Sequence, residues 1–121
     1  DTTSTTPEAL MAGVNALDTG KKNIVLIMGG ADKGLDVGAS VTAVMDKTKK
    51  FILLSGSGTE RIKNTLPEAP VYDDLRLALN DALNSSVQGD TILLSPGFAS
   101  FGMFRNEFDR GDQFVSLVKA L

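Results

Sequence analysis

The groups in this chain able to do chemistry are a lysine and several hydroxyls set beside glycine turns. Gly29-Gly30-Ala31-Asp32-Lys33-Gly34 places one cation just past a glycine pair, and Ser95-Pro96-Gly97-Phe98-Ala99-Ser100 places two hydroxyls in one loop. Gly56-Ser57-Gly58-Thr59 repeats the small-and-hydroxyl theme, and Asp1-Thr2-Thr3-Ser4-Thr5-Thr6-Pro7 carries it in a longer run. An ammonium offers charge-assisted hydrogen bonds, and hydroxyls with the open N–H groups of a helix start complete a cradle for a carboxylate or phosphate. Anion binding is the chemistry these residues suit. The chain has no Cys and no His, which removes thiolate zinc sites, cysteine nucleophiles, Ser-His-Asp triads and imidazole proton shuttles.

Each motif also has a plainer use. The run from Gly29 to Gly34 is not a GxxxxGK[ST] loop, because Lys33 precedes Gly34 and no hydroxyl follows in the required place. As a simple turn it leaves Lys33 solvated. Gly56-Ser57-Gly58 has Arg61 where a dinucleotide fingerprint needs a third glycine, so an ordinary strand-to-helix turn accounts for it better. Ser95 and Ser100 serve equally as turn and cap residues. Thr5 and Glu8 have capping-box spacing, and Pro7 suits a first helical turn.

The elements that must position these loops follow from apolar period. Ile24 to Met28, Phe51 to Leu54 and Ile92 to Leu94, the last within a strand Thr91 to Leu94, are short unbroken apolar runs that read as buried strands of a parallel sheet, with Val71-Tyr72 a brief fourth. A helix is expected from about Thr6 to Leu17, and another on Val37, Val41, Val44 and Met45 with Lys47 to Lys50 as its solvated last turn. Ile62 and Leu66 support a short helix stopped by Pro67. Asp73 is expected to cap a helix with the core stripe Leu75, Ala78, Leu79, Ala82 and Leu83. Phe101, Phe104 and Phe108 make one helical face, and Phe114, Leu117, Val118 and Leu121 a last apolar stripe. Strands alternating with helices predict an α/β fold, a Rossmann-like, mostly parallel sheet with helices on both faces in a single domain. The loops after the strands then gather Lys33, Ser57 and Ser95 to Ser100 on one edge.

Composition narrows the partners. The 121 residues are 42% hydrophobic and 22% charged, with a formal net charge of −3, enough for one core and without the basic field that a phosphate backbone requires. Nucleic acid is not an expected partner. No apolar run has the roughly 18 to 20 residues of a membrane span, so a cytoplasmic protein with no membrane partner is expected. The chain opens without Met and in mid-pattern, as expected of a fragment.

Three stretches together carry a family resemblance. SPGFASFGMFRNEFDRG resembles the closing segment of the Mur ligases of peptidoglycan synthesis, in their D-glutamate-adding branch, with Ser95, Pro96, Ala99, Ser100, Phe104, Asn106, Arg110 and Gly111 in pattern. GGADKG resembles the Gly-Gly-x-x-Lys that ends a strand in that branch, and DTTSTTP resembles its Asp-Ser-Lys-Ala-Thr-Asn-Pro hinge. Sister Mur ligases more often space the hinge Asp and Pro closer together. Thr3 stands where the family has Lys, Thr6 where it has Asn, Phe98 where Cys is common, and Glu107 where an aromatic is frequent, with Phe108 one later.

The resemblance implies that residues 1–121 are a C-terminal, glutamate-binding domain whose N-terminal and central domains lie outside this chain. It implies D-glutamate binding by Lys33, Ser100, Phe101 and Thr5, nucleotide contact by Asp1, and neither a catalytic residue nor a metal ligand within these residues. ATP and Mg²⁺ would serve the full-length enzyme without being bound by this domain alone. There the carboxylate of UDP-N-acetylmuramoyl-L-alanine is activated as an acyl phosphate, which the amine of D-glutamate attacks. Two other readings stay open at this point: a stand-alone Rossmann-like module for a nucleotide or anion, and the C-terminal domain of another Mur or folylpolyglutamate synthase-type ligase.

Overall fold

Long aliphatic residues without a polar interruption leave a strand no solvated face, and strand β1, Ile24–Gly29, is buried at all six positions. The computed structural model describes residues 13–14, 22–29, 41–42, 44–63, 65–94 and 107–120. Beside β1 lies β2, Thr48–Leu54, which a 3₁₀ turn at Met45–Lys47 feeds directly. Helix α1, Ser57–Ile62, leads to the two-residue strand β3, Val71–Tyr72, and helix α2, Leu75–Ser85, leads to β4, Thr91–Leu94. Helix α3, Glu107–Lys119, follows. The described strands form one sheet in the order β3-β2-β1-β4, and every pairing is parallel. This is the expected α/β architecture.

Period-two alternation sends β1 into two cores. Ile24, Leu26 and Met28 join Phe51, Leu53 and Leu93 on one face, covered by Val14, Val41, Val44, Ile62 and Leu66. Val25 and Ile27 join Ile52, Leu54 and Leu94 on the other, covered by Leu75, Ala78 and Ala82 of α2 with Phe114 and Leu117 of α3 packed against them. Each such side chain contributes about 1.5–3 kcal/mol on burial, so these layers, not the loops, supply the fold's stability. Residues 13 and 14, and 41, 42 and 44, are helical, in line with the expected helices there; the remainder of the Thr6 to Leu17 stretch lies outside the described residues.

Several expectations need correction. Thr48, Lys49 and Lys50 are not a solvated helix end but the first residues of β2. Their charges are absorbed by partners: Lys49 Nζ lies 2.5 Å from Asp90 Oδ2 and Lys50 Nζ 2.6 Å from Asp81 Oδ1. The cap of α2 is Asp74 rather than Asp73, its carboxylate accepting from Arg76 N at 2.8 Å. Met45, Leu83, Phe108 and Val118 are exposed rather than core, Phe108 most of all at 64%. Phe114 and Leu117 already fill the sheet-facing side of α3, which turns Phe108 and Val118 away. Arg110 is fully buried. The chain also runs helical straight through Gly111.

A polar network ties the β3 edge to α2. Asp81 accepts from Tyr72 Oη at 2.5 Å, from Lys50 Nζ at 2.6 Å and from Ser85 Oγ at 2.9 Å, while Lys50 Nζ also reaches Ser85 Oγ at 2.7 Å. Burial pushes the Asp81 carboxyl up, but hydrogen bonds from Lys50, Tyr72 and Ser85 outweigh it and hold it below its ordinary value of 3.8. The same bond to Asp81, with burial and the carboxylate's charge, raises the Tyr72 hydroxyl above 10.0. On the other side of the sheet's amino end, Lys49 and the Val87 N–H hold Asp90 below its usual range. There Gly89, at φ 96, lets the turn carry its carbonyl to Asn23 Nδ2 at 2.8 Å.

At the far end of β1, Gly29 admits no side chain. Its φ is +122°, and a Cβ there would stand 2.4 Å from Leu54 O and 2.6 Å from Thr59 Oγ1. Gly29→Ala is expected to destabilise the chain by about 2–6 kcal/mol, combining ~1–3 for backbone strain with ~1–3 for overpacking. Urea unfolding of the 121-residue chain checks this; a midpoint equal to wild type would contradict it.

Asp81→Asn should lower stability at pH 7 by about 1 kcal/mol, a charged hydrogen bond discounted for partial exposure. Because the folded pKa of Asp81 is depressed, its contribution is present above 3.8 and lost as pH falls through the folded value. Wild type and Asp81→Asn should therefore converge as pH falls through the depressed folded value, and unfolding curves at pH 7 and along an acid series test it.

Candidate functional site

In a parallel sheet, ligands sit outside the carboxyl ends of the strands, where neighbouring connections leave in opposite directions. Here the order β3-β2-β1-β4 means that the chain steps outward from β1 through β2 to β3, then crosses back to β4 on the other side of β1. The reversal falls between β1 and β4. Their register pairs Ile27 with Leu94, so the two strands end side by side and point the same way. Gly29-Gly30-Ala31-Asp32-Lys33 continues from one end and Ser95 to Ser100 from the other. The two segments singled out in the sequence thus leave from adjacent strand ends. Lys33, Ser100, Phe101, Thr5 and Asp1 themselves lie outside the described residues.

The third hydroxyl motif is a structural turn. Gly56 precedes α1, and Thr59 in its first turn is 1% exposed, donating its hydroxyl to the carbonyl of Leu54 at the end of β2. That hydroxyl is occupied by the fold and is not available to a phosphate. The plainer reading of Gly56-Ser57-Gly58-Thr59 holds.

A residue whose setting sequence reasoning missed is Arg110. It is fully buried near the start of α3 and engaged by partners. It lies i−4 from Phe114 and i−7 from Leu117, the side of α3 that packs on the sheet. A guanidinium taken out of water costs several kcal/mol unless it is paired, and Arg110 does have interaction partners. The i, i+4, i+7 spacing with two apolar residues was the available signal, masked by Arg's usual preference for solvent.

Two open cavities occur among the described residues. One, about 410 Å³, lies at the amino end of β2 and is lined by Met45, Lys49, Phe51, Leu66, Glu68 and Pro70 among others. A second, about 330 Å³, separates the start of α2 from α3 at Asp74, Arg76, Asp112 and Ser116. The first is at the end of the sheet opposite the loops described above. No group of three or more acidic, His or Cys residues among the described residues is arranged to hold a metal. No helix of the described residues is long and apolar enough to cross a membrane.

No protein-family model matches the chain. Curated relatives do. The chain is 44% identical over 125 residues to the "UDP-N-acetylmuramoylalanine--D-glutamate ligase" of Borreliella afzelii (strain PKo), an alignment covering 100% of this chain and 28% of that protein. Proteins of the same name are 39% identical in Roseiflexus sp. (strain RS-1), over 99% of this chain and 27% of theirs, and 39% identical in Aquifex aeolicus (strain VF5), over 98% and 29%. The chain spans little more than a quarter of the length of these relatives. Identity of this order along the whole chain, to proteins that share one name, means that the chain belongs to the D-glutamate-adding branch of the Mur ligase family.

Proposed function

We propose that these residues form the C-terminal domain of an ATP-dependent ligase that joins D-glutamate to UDP-N-acetylmuramoyl-L-alanine, and that they supply the D-glutamate site and close the active site. The observation that carries the reading is the whole-chain identity to D-glutamate ligases, 44% in the Borreliella afzelii protein. The side-by-side ends of β1 and β4 support it, because a ligand between their two loops would meet Lys33 from one and Ser100 from the other.

The chemistry asks for two carboxylates held still while the amine remains free to attack. Lys33 would pair with one carboxylate, and the Ser100 hydroxyl with the backbone at Phe101 would receive the other. Thr5 would lie near the incoming amino acid and Asp1 would reach the nucleotide ribose. ATP and Mg²⁺ would supply phosphoryl activation of the UDP-sugar carboxylate, on domains outside this chain, and the work of these residues is to bind and orient the nucleophile. Holding the amine in line with its target converts a bimolecular step into an effectively unimolecular one. The full-length protein would act in the cytoplasm, where ATP and the nucleotide sugar meet.

The 121 residues alone are expected to form no amide. Phosphate release by the pure chain that depends on all three substrates would contradict this. In the full-length enzyme, Lys33→Ala should lower kcat/KM for D-glutamate roughly 10- to 150-fold, the value of a charged hydrogen bond of about 1.5–3 kcal/mol. KM for ATP should stay near wild type. Steady-state kinetics on the purified variant decide it: an unchanged D-glutamate kcat/KM, or a loss confined to ATP, would return Lys33 to a solvated turn.

A further inference from the structure

The end of β1, from which the sequence runs on to Lys33, is hemmed in by two neighbours of Gly29. The last residue of β1 is buried at φ +122°, and a Cβ built on it would lie 2.6 Å from Thr59 Oγ1 as well as 2.4 Å from Leu54 O and 3.0 Å from Leu54 N. The space a side chain would need at Gly29 is therefore taken by the Thr59 hydroxyl and the Leu54 backbone. Thr59 is itself fixed, 1% exposed and donating to the Leu54 carbonyl. One buried hydroxyl thus locks the end of β2 to the first turn of α1 and walls the end of β1 at Gly29. Gly29's φ is a value almost confined to glycine, and Gly29 directly precedes the Gly30 to Lys33 stretch in sequence.

We infer that Thr59 is a positioning residue for D-glutamate binding, acting through Gly29 on the Lys33 loop without touching the substrate. The inference rests on the reading of Lys33 as the cation for a D-glutamate carboxylate. A hydroxyl suits this place because it is small enough to leave room for the Gly29 backbone and can satisfy the Leu54 carbonyl. Thr59→Val puts a methyl where the hydroxyl stood, crowding Gly29 and orphaning that carbonyl. Thr59→Ala removes the wall altogether, and Thr59→Ser keeps both features.

The test is steady-state kinetics on the full-length ligase. Thr59→Val and Thr59→Ala should each raise KM for D-glutamate about 5-fold or more, part of the ~100-fold that a 1 Å misplacement costs. KM for ATP should be unchanged, and Thr59→Ser should stay within about twofold of wild type. In a Lys33→Ala background the same Thr59 substitutions should add no further loss, since coupled residues are not additive. Should the Val variant fail to fold, the Ala variant carries the same comparison. A D-glutamate KM within about twofold of wild type for Thr59→Ala, whatever its melting temperature, overturns the inference, as does an equal extra loss on Lys33→Ala. If Lys33→Ala itself leaves D-glutamate kinetics unchanged, the reading of Lys33 fails and the inference falls with it; if only the Thr59 variants are silent, the reading stands and the inference alone fails.

Discussion

A parallel sheet must be covered on both faces, and nearly everything else in this chain answers that demand. β1 is buried along its whole length, so its residues had to be apolar on both sides, and its neighbours had to send helices to both. Two cores result, one under the early helical segments and α1, the other under α2 and α3. The connections that build these layers start at the carboxyl ends of the strands. Covering the sheet therefore also produces the row of loops in which a ligand can be held.

The cations illustrate how the scaffold competes with function for the same residue types. Lys49 and Lys50 are consumed by Asp90 and Asp81, and Arg110 is buried against the sheet side of α3. Such pairs add little when exposed and more when partly enclosed. Their larger effect here is to pin otherwise weak points: the two-residue edge strand β3 through Tyr72 and Asp81, and the turn before β4 through Asp90.

Without His or Cys, the chain lacks the imidazole and thiol groups that titrate nearest neutral pH. That fits a division of labour in which the proposed D-glutamate domain orients a nucleophile while phosphoryl activation occurs elsewhere. A split site of this kind has a physical advantage. On the proposed reading the substrate carboxylates would be gripped by a rigid sheet edge, and their amine would reach the reactive centre only when the domains close, so that water would be excluded before the acyl phosphate is exposed to attack.

Sequence alone determined the strands, the parallel α/β class and the family, because unbroken aliphatic runs, glycine turns and long motifs are local signals that survive without coordinates. It also placed Val71-Tyr72 as a brief strand and read Gly56 to Thr59 as a turn rather than a nucleotide fingerprint, and both hold. What it could not reach were facts made by long-range partners. Lys49 and Lys50 look like a solvated helix end until Asp90 and Asp81, some forty and thirty residues later, arrive beside them. Arg110 reads as surface until Phe114 and Leu117 pull its side of α3 onto the sheet, and the same rotation exposes Phe108 and Val118. Gly29 reads as half of a flexible pair, yet its necessity comes from Leu54 and Thr59, which stand against it only after β1 and β2 are paired. Local pattern encodes which elements form; which side chain meets which charge or backbone across the sheet depends on packing between residues distant in the chain.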